Sequence, residues 1–223
     1  MQMQNQENLN KKTKGGKKSH LLLIGSFLVF IGIVILSYNH LLSLRNQIFS
    51  DMLIAMYDKD TNEEKEEKEV KVPEVKNVTD ETVYKEEKID YGKYLGVLSI
   101  PKIGLKRGFY NFDSKYNNIE YNVTLVKGSL MPDVMNGNLI LMAHSGDAYI
   151  SYFAYLYRLN IGDNAFVTYN GVQYKYSLVN KYDVDKNGKV RINRNYDRTT
   201  LTLITCTKDD DYHQTVYIFE LVS

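Results

Sequence analysis

Two residues in this chain carry the side chains that acyl-transfer chemistry needs, and each closes an apolar run. Cys206, the only cysteine, ends TLTLITC and is followed by Thr207, Lys208 and the acidic stretch Asp209 to Asp211. His144 ends NLILMAH and opens the Gly-containing stretch HSGD. With no second thiol, a disulfide within the chain is excluded. A thiol at a strand end beside a polar loop is a candidate nucleophile, provided a proton acceptor reaches it. Only four histidines exist. His20 and His40 flank a long apolar stretch, so His144 and His213 are the ones available to a folded domain. His144 is the better partner, since two strands of similar character each deliver one reactive group at an end. His213 sits in a stretch that reads as solvated.

The elements that must position these groups lie in the last segment, residues 91–223. Runs rich in β-branched and aromatic residues recur there: GVLSIP (96–101), NLILMA (138–143), NAFVTY (164–169), VQYKYSLVNKYDV (172–184), TTLTLIT (199–205) and TVYIFELV (215–222). Asn136-Gly137, Asn170-Gly171 and Asn187-Gly188 each suit a tight hairpin turn. The pattern predicts a mostly antiparallel β-barrel or sandwich. Within ISYFAYLYRL (150–159), Phe153, Leu156 or Asn160, and Tyr157 recur at near-helical spacing, which predicts a short helix.

Upstream the composition changes twice. Five lysines between Lys11 and Lys18 precede LLLIGSFLVFIGIVILSY, an uncharged run of 18 residues at 21–38. That length approaches the minimum for a helix crossing a bilayer, and the preceding lysines place the N-terminal tail (1–20) on the cytoplasmic side. The run exceeds a signal-peptide core, and no A-x-A-like cleavage site follows it. The reading is an uncleaved single anchor with the remaining chain outside the cytoplasm. The segment 39–90 starts with helix-compatible leucines and becomes strongly acidic. Between Asp58 and Asp90 there are 13 Asp or Glu against 7 Lys. Such a stretch buries too little apolar surface to offset its ordering entropy, so it predicts a charged tether. The whole chain of 223 residues carries a formal net charge of +1, which gives a nucleic-acid partner no support.

The run TLITC (202–206), His144 in LMAHSGD and the opening LGVLSIPKIGL (95–105) together resemble the sortase family, membrane-anchored cysteine transpeptidases of Gram-positive bacteria. The similarity covers all of 91–223, with a His-to-Cys separation of 62 residues. It implies an eight-stranded sortase-type barrel with short helices behind a transmembrane helix and a linker. It further implies that Cys206 attacks a backbone carbonyl of an LPxTG-like sorting signal on a secreted protein. His144 would serve as proton donor and acceptor, and the resulting thioester would pass to a peptidoglycan-precursor or pilin amine. No cofactor and no metal are implied. The absence of a lid-like segment before Tyr91 suggests class B- or class D-like membership.

One departure from the family pattern stands out. Sortases carry an Arg near the start of the strand after the Cys, and TKDDDYHQTVYIFELVS contains none. Gln214 falls at that position; a neutral amide donates hydrogen bonds with about half the strength of a charged donor. Arg191, Arg194, Arg198 and Lys208 are the other cations that could serve. The departure supports an alternative, a catalytically weakened sortase-like module that binds sorting signals or pilins. An unrelated cell-wall cysteine enzyme is disfavoured by the order of His and Cys and by Ile204-Thr205 before the thiol. Asp147, three residues after His144, could orient the imidazole or stabilise a turn.

Overall fold

The computed structural model describes residues 2–69 and 92–222. The chain divides into two compact units, Met1–Gln47 and Ile48–Ser223. A single helix, α1 (Gln2–Glu69), contributes to both. In the first unit its apolar stretch from Leu22 onward is exposed and has a mean hydropathy of 2.2, enough in length and composition to cross a membrane.

In the second unit, the part of α1 assigned to the tether behaves differently from that expectation. Ile54 is buried against Tyr94, Val97 and Tyr110, with Leu53 and Tyr57 packed beside it. Tyr94 Oη donates to Ser50 Oγ at 3.4 Å, and Lys106 Nζ lies 3.8 Å from Asp58. Three apolar groups at 53, 54 and 57 share one helical face, and that burial outweighs the acidic character of the residues that follow. The folded domain therefore recruits residues well before position 91. The rest of the predicted tether, 70–90, and the stretch that bears on the class B- or D-like expectation lie outside the described residues.

Eight strands follow: β1 (Tyr94–Ile100), β2 (Leu105–Tyr110), β3 (Thr124–Leu125), β4 (Asn138–Met142), β5 (Asn164–Tyr169), β6 (Val172–Asp185), β7 (Thr200–Cys206) and β8 (His213–Leu221). They form one sheet in the order β2-β1-β5-β6-β8-β7-β4-β3. A bridge between Phe109 and Val123 brings the two edge strands together, so the sheet is a nearly closed barrel. All neighbours are antiparallel except β4 and β7. The interior is filled by Leu98, Ile100, Phe109, Leu139, Leu141, Leu201, Leu203 and Phe219, among others. A second cluster on the outer face packs Ile204, Val216 and Ile218 under Val190 and Ile192 from the loop after β6. Both faces of β7 are thus covered, which is why TLTLIT shows no exposed alternation and is buried at every position from Thr200 to Thr205.

Of the three Asn-Gly pairs, one closes a two-residue hairpin. Asn170 and Gly171 take φ of 48° and 69° between β5 and β6, the doubly positive pair that the right-handed strand twist requires. Asn136-Gly137 instead leads into β4, and Asn187-Gly188 lies in the loop after β6. The helix expected over 150–159 is a series of tight turns ending in a short 3₁₀ turn, Leu156–Arg158. The buried residues there are Phe153, Leu156 and Leu159. Their spacing is three, the 3₁₀ period, whereas Tyr157 and Asn160, the α-spaced partners, are exposed.

Candidate active site

β4 and β7 run parallel in register, with Met142 beside Ile204. Side-chain hydroxyls lock that register at both ends. Thr200 and Thr202 each donate to Asn138 Oδ1 at 2.9 Å. At the other end Thr205 Oγ1 donates to the Ala143 carbonyl at 2.7 Å and Ser145 Oγ to the Cys206 carbonyl at 2.7 Å. His144 lies between Ala143 and Ser145, so its backbone is held level with Cys206. β8 flanks β7 on the other side. There Cys206 pairs with Gln214, while Thr207 N donates to the His213 carbonyl at 3.1 Å. That bond makes Thr207 and His213 a hydrogen-bonded pair and Cys206 and Gln214 a non-hydrogen-bonded one, the kind whose side chains stand closest. Three adjacent strand ends therefore set the backbones of His144, Cys206 and Gln214 level with one another, with Cys206 in the middle. Cys206 is half-buried and His144 about one-third exposed, so neither is sealed in the core.

The carboxylate beside the imidazole is Glu120, whose Oε1 lies 3.6 Å from His144 Nε2. It comes from the turn before β3, and no sequence pattern ties it to His144. Among the described residues Asp147 makes no hydrogen bond or ion pair, to His144 or to any other group. A pocket of ≈ 290 Å³ opens beside Cys206, bordered by Thr207, Lys208, Thr215, Asp183 and Tyr157 among others. The Lys208 ammonium sits 4.1 Å above the Tyr157 ring.

The arginines separate into two groups. Arg194 stacks on Tyr196 at 4.5 Å and its Nη1 donates to the Arg198 carbonyl at 3.2 Å. Arg198 Nε is 4.0 Å from Glu220, the residue paired with Thr200. Both lie at the start of β7, about 20 Å of extended strand from Cys206, so they do not serve the thiol as the sequence allowed. Arg191 differs. Its carbonyl accepts from Tyr182 Oη at 2.9 Å, and Tyr182 borders the pocket.

His213 is engaged at both ring nitrogens, Nδ1 at 2.7 Å from Asp210 and Nε2 at 3.3 Å from Asp185. The Asp210 hydrogen bond and charge, then the charges of Asp185 and Asp183, hold its pKa above the usual 6.5. This clasp ties the β7–β8 loop to the end of β6 and leaves His213 no free nitrogen for the thiol. A folded pKa above the unfolded value means that the clasp is fully formed below pH 6.5 and is lost as pH rises through the raised pKa. An NMR titration should therefore place the His213 midpoint above 6.5, with amide protection across 207–213 falling at alkaline pH. A midpoint at or below 6.5 would refute the clasp.

A family model described as Sortase domain matches residues 98–220. Among solved structures, the chain is similar to sortase A of Corynebacterium diphtheriae in a lid-mutant form, with 22% identity, a TM-score of 0.52, and 58% of this chain and 70% of that one covered. It is similar to a Clostridium perfringens sortase D5 transpeptidase at 23% identity and a TM-score of 0.52, over 61% of this chain and 84% of that one. It also matches sortase C1 of Streptococcus agalactiae at 25% identity and a TM-score of 0.50, over 58% and 68%. No curated protein matches the chain.

Proposed function

The chain belongs to the sortase family, whose members are in general cysteine transpeptidases, and from that premise we propose that Cys206, His144 and Gln214 form its catalytic centre for cleaving an LPxTG-like sorting signal. The observation that supports the reading is the strand register, which sets Cys206 opposite Gln214 and, through the bonds of Thr205 to Ala143 and of Ser145 to Cys206, level with His144. In the first half-reaction the Cys206 sulfur attacks the scissile carbonyl, and the thiol proton passes to His144. The tetrahedral oxyanion accepts a hydrogen bond from the Gln214 amide. Collapse breaks the C–N bond, His144 returns the proton to the leaving amine, and a thioester remains on Cys206. In the second half-reaction an incoming amine gives its proton to His144 as it attacks the thioester, and the thiol is regenerated with one amide formed for the one broken. Splitting amide exchange in this way lowers each barrier, provided nucleophile and acid flank the same carbonyl.

The acceptor in this reading is a peptidoglycan-precursor or pilin amine, and the donor a secreted protein carrying a C-terminal sorting signal. Lysines before the apolar part of α1 favour a cytoplasmic N-terminus and a catalytic domain outside the cell membrane. The test uses the full chain in detergent, an LPxTG-like peptide panel and hydroxylamine as acceptor. A Cys206 acyl adduct and a hydroxamate product are expected by mass spectrometry. Absence of both across the panel favours the alternative of a sorting-signal or pilin-binding module, which the missing Arg motivates. Within the same assay Gln214→Ala should slow turnover by about 10²-fold, as removal of one oxyanion donor does, and Gln214→Arg should be tolerated. An unchanged Ala variant would transfer the oxyanion role to Arg191 or Lys208.

A further inference from the structure

We propose that Asp183, which neither the motif nor the family pattern marks, is a positioning residue that holds the Cys206 and Gln214 strand ends against each other. Its kinetic consequence rests on the transpeptidase reading above; its structural consequence does not.

Asp183 lies on β6 opposite Thr215 of β8. Its Oδ1 accepts from Thr215 Oγ1 at 2.7 Å and lies 3.4 Å from Thr207 Oγ1. The two hydroxyls are 3.0 Å apart. Thr207 immediately follows Cys206 and Thr215 immediately follows Gln214, so one carboxylate oxygen ties together the neighbours of both site residues. A carboxylate only accepts, which sets the direction of the whole chain. Thr215 spends its single proton on Asp183, and Thr207 therefore points its own toward Thr215 and Asp183. Bonds to a charged acceptor are the stronger kind, and all three groups border the pocket beside the thiol, where water competes for them.

The need for such a clasp follows from where the ladder stops. Beyond Cys206 and Gln214 a single backbone bond, Thr207 N to the His213 carbonyl, precedes the β7–β8 loop, and strand ends open most readily. On the β4 side Thr205 and Ser145 already fasten the Cys206 end. On the β8 side Asp183 supplies the fastening. It bonds to the neighbours of Cys206 and Gln214 rather than to the reacting groups, which is why it acts on their spacing. Misplacing reacting groups by about 1 Å can cost 10²-fold.

The experiment has two arms on the full chain. In the kinetic arm, Asp183→Ala should lower kcat for peptide transfer by about 10²-fold with KM changed less than about threefold, and Asp183→Asn, which keeps an acceptor oxygen at the same place, should recover most of the loss. In the second arm Gln214→Cys creates a pair with Cys206, the chain's only natural thiol, at a non-hydrogen-bonded site where cross-strand side chains are near bridging distance. The effective concentration of the two thiols, read against a glutathione buffer, should fall about tenfold or more when Asp183→Ala is added, and return with Asp183→Asn. Thr215→Val, which preserves shape and removes the hydroxyl, should lower it as well, and combined with Asp183→Ala should cost less than the product of the two. An effective concentration unchanged by Asp183→Ala and Thr215→Val overturns the proposal, as does an Asn variant as impaired as Ala in both arms. If the unsubstituted chain transfers no peptide, the transpeptidase reading fails, and the thiol-pair arm still decides the role of Asp183.

Discussion

If Cys206 is the nucleophile proposed above, Cys206→Ala should abolish acyl-adduct formation and transfer while leaving the fold intact. The substitution removes the only thiol in the chain, so no other side chain of that type can carry the acyl group. The residue sits at the last position of β7 and is only half-buried, so truncation to Ala leaves no large core cavity. The backbone contacts that define the site use its carbonyl and its neighbours, and these persist in the variant. Intact-mass analysis after incubation with the peptide panel, alongside a thermal melt, checks both halves of this expectation. Residual adduct on the Ala variant would remove Cys206 from its assigned role. A matching loss of melting temperature would show that the thiol is also a packing group.

The second large effect is expected from His144→Ala, a fall of about 10²–10⁴-fold in transfer rate from lost proton transfer, with a further loss from positioning. In the proposed mechanism the imidazole shuttles a proton in both half-reactions, so its removal should slow acylation and release alike. Single-turnover measurements of thioester formation, followed by addition of the acceptor amine, separate the two. Loss confined to one step would assign His144 to that step alone. A rate within a few-fold of the parent would strip it of the acid–base role. Glu120, 3.6 Å from Nε2, stays in place in the variant and offers a carboxylate only, which cannot restore the geometry of the ring.

Much of the domain is legible in the sequence. Hairpin-forming runs between 138 and 222 correspond to β4 to β8 within a residue or two, because their β-branched and aromatic content is local and the turn chemistry between them is local as well. β2 and β3 carry no such local signal. The first is short and interrupted by Gly108, and the second has only two residues. The 3₁₀ period at Phe153, Leu156 and Leu159 reads as α-helical in the sequence because over seven residues a spacing of three and one of 3.6 predict overlapping positions. The docked face of α1 is not legible in composition, since one buried side chain at 54 and its half-buried neighbours at 53 and 57 weigh little in an average over 39–90 but contribute a contiguous apolar contact.

The sequence alone determined the candidate pair Cys206 and His144, the placement of each at or next to a strand end, and the apolar segment long enough to span a membrane. These are properties of residue type and of near neighbours in the chain. Only the tertiary structure decided that Cys206 lies on the strand between those that carry His144 and Gln214, that Arg194 and Arg198 belong to the far end of β7, and that Glu120 approaches His144 while Asp183 bonds to Thr207 and Thr215. Each of those facts depends on the register between strands distant in the chain, such as β4 with β7. That register is set by the packing of both sheet faces and by hydroxyl bonds across the ladder, which no local pattern encodes.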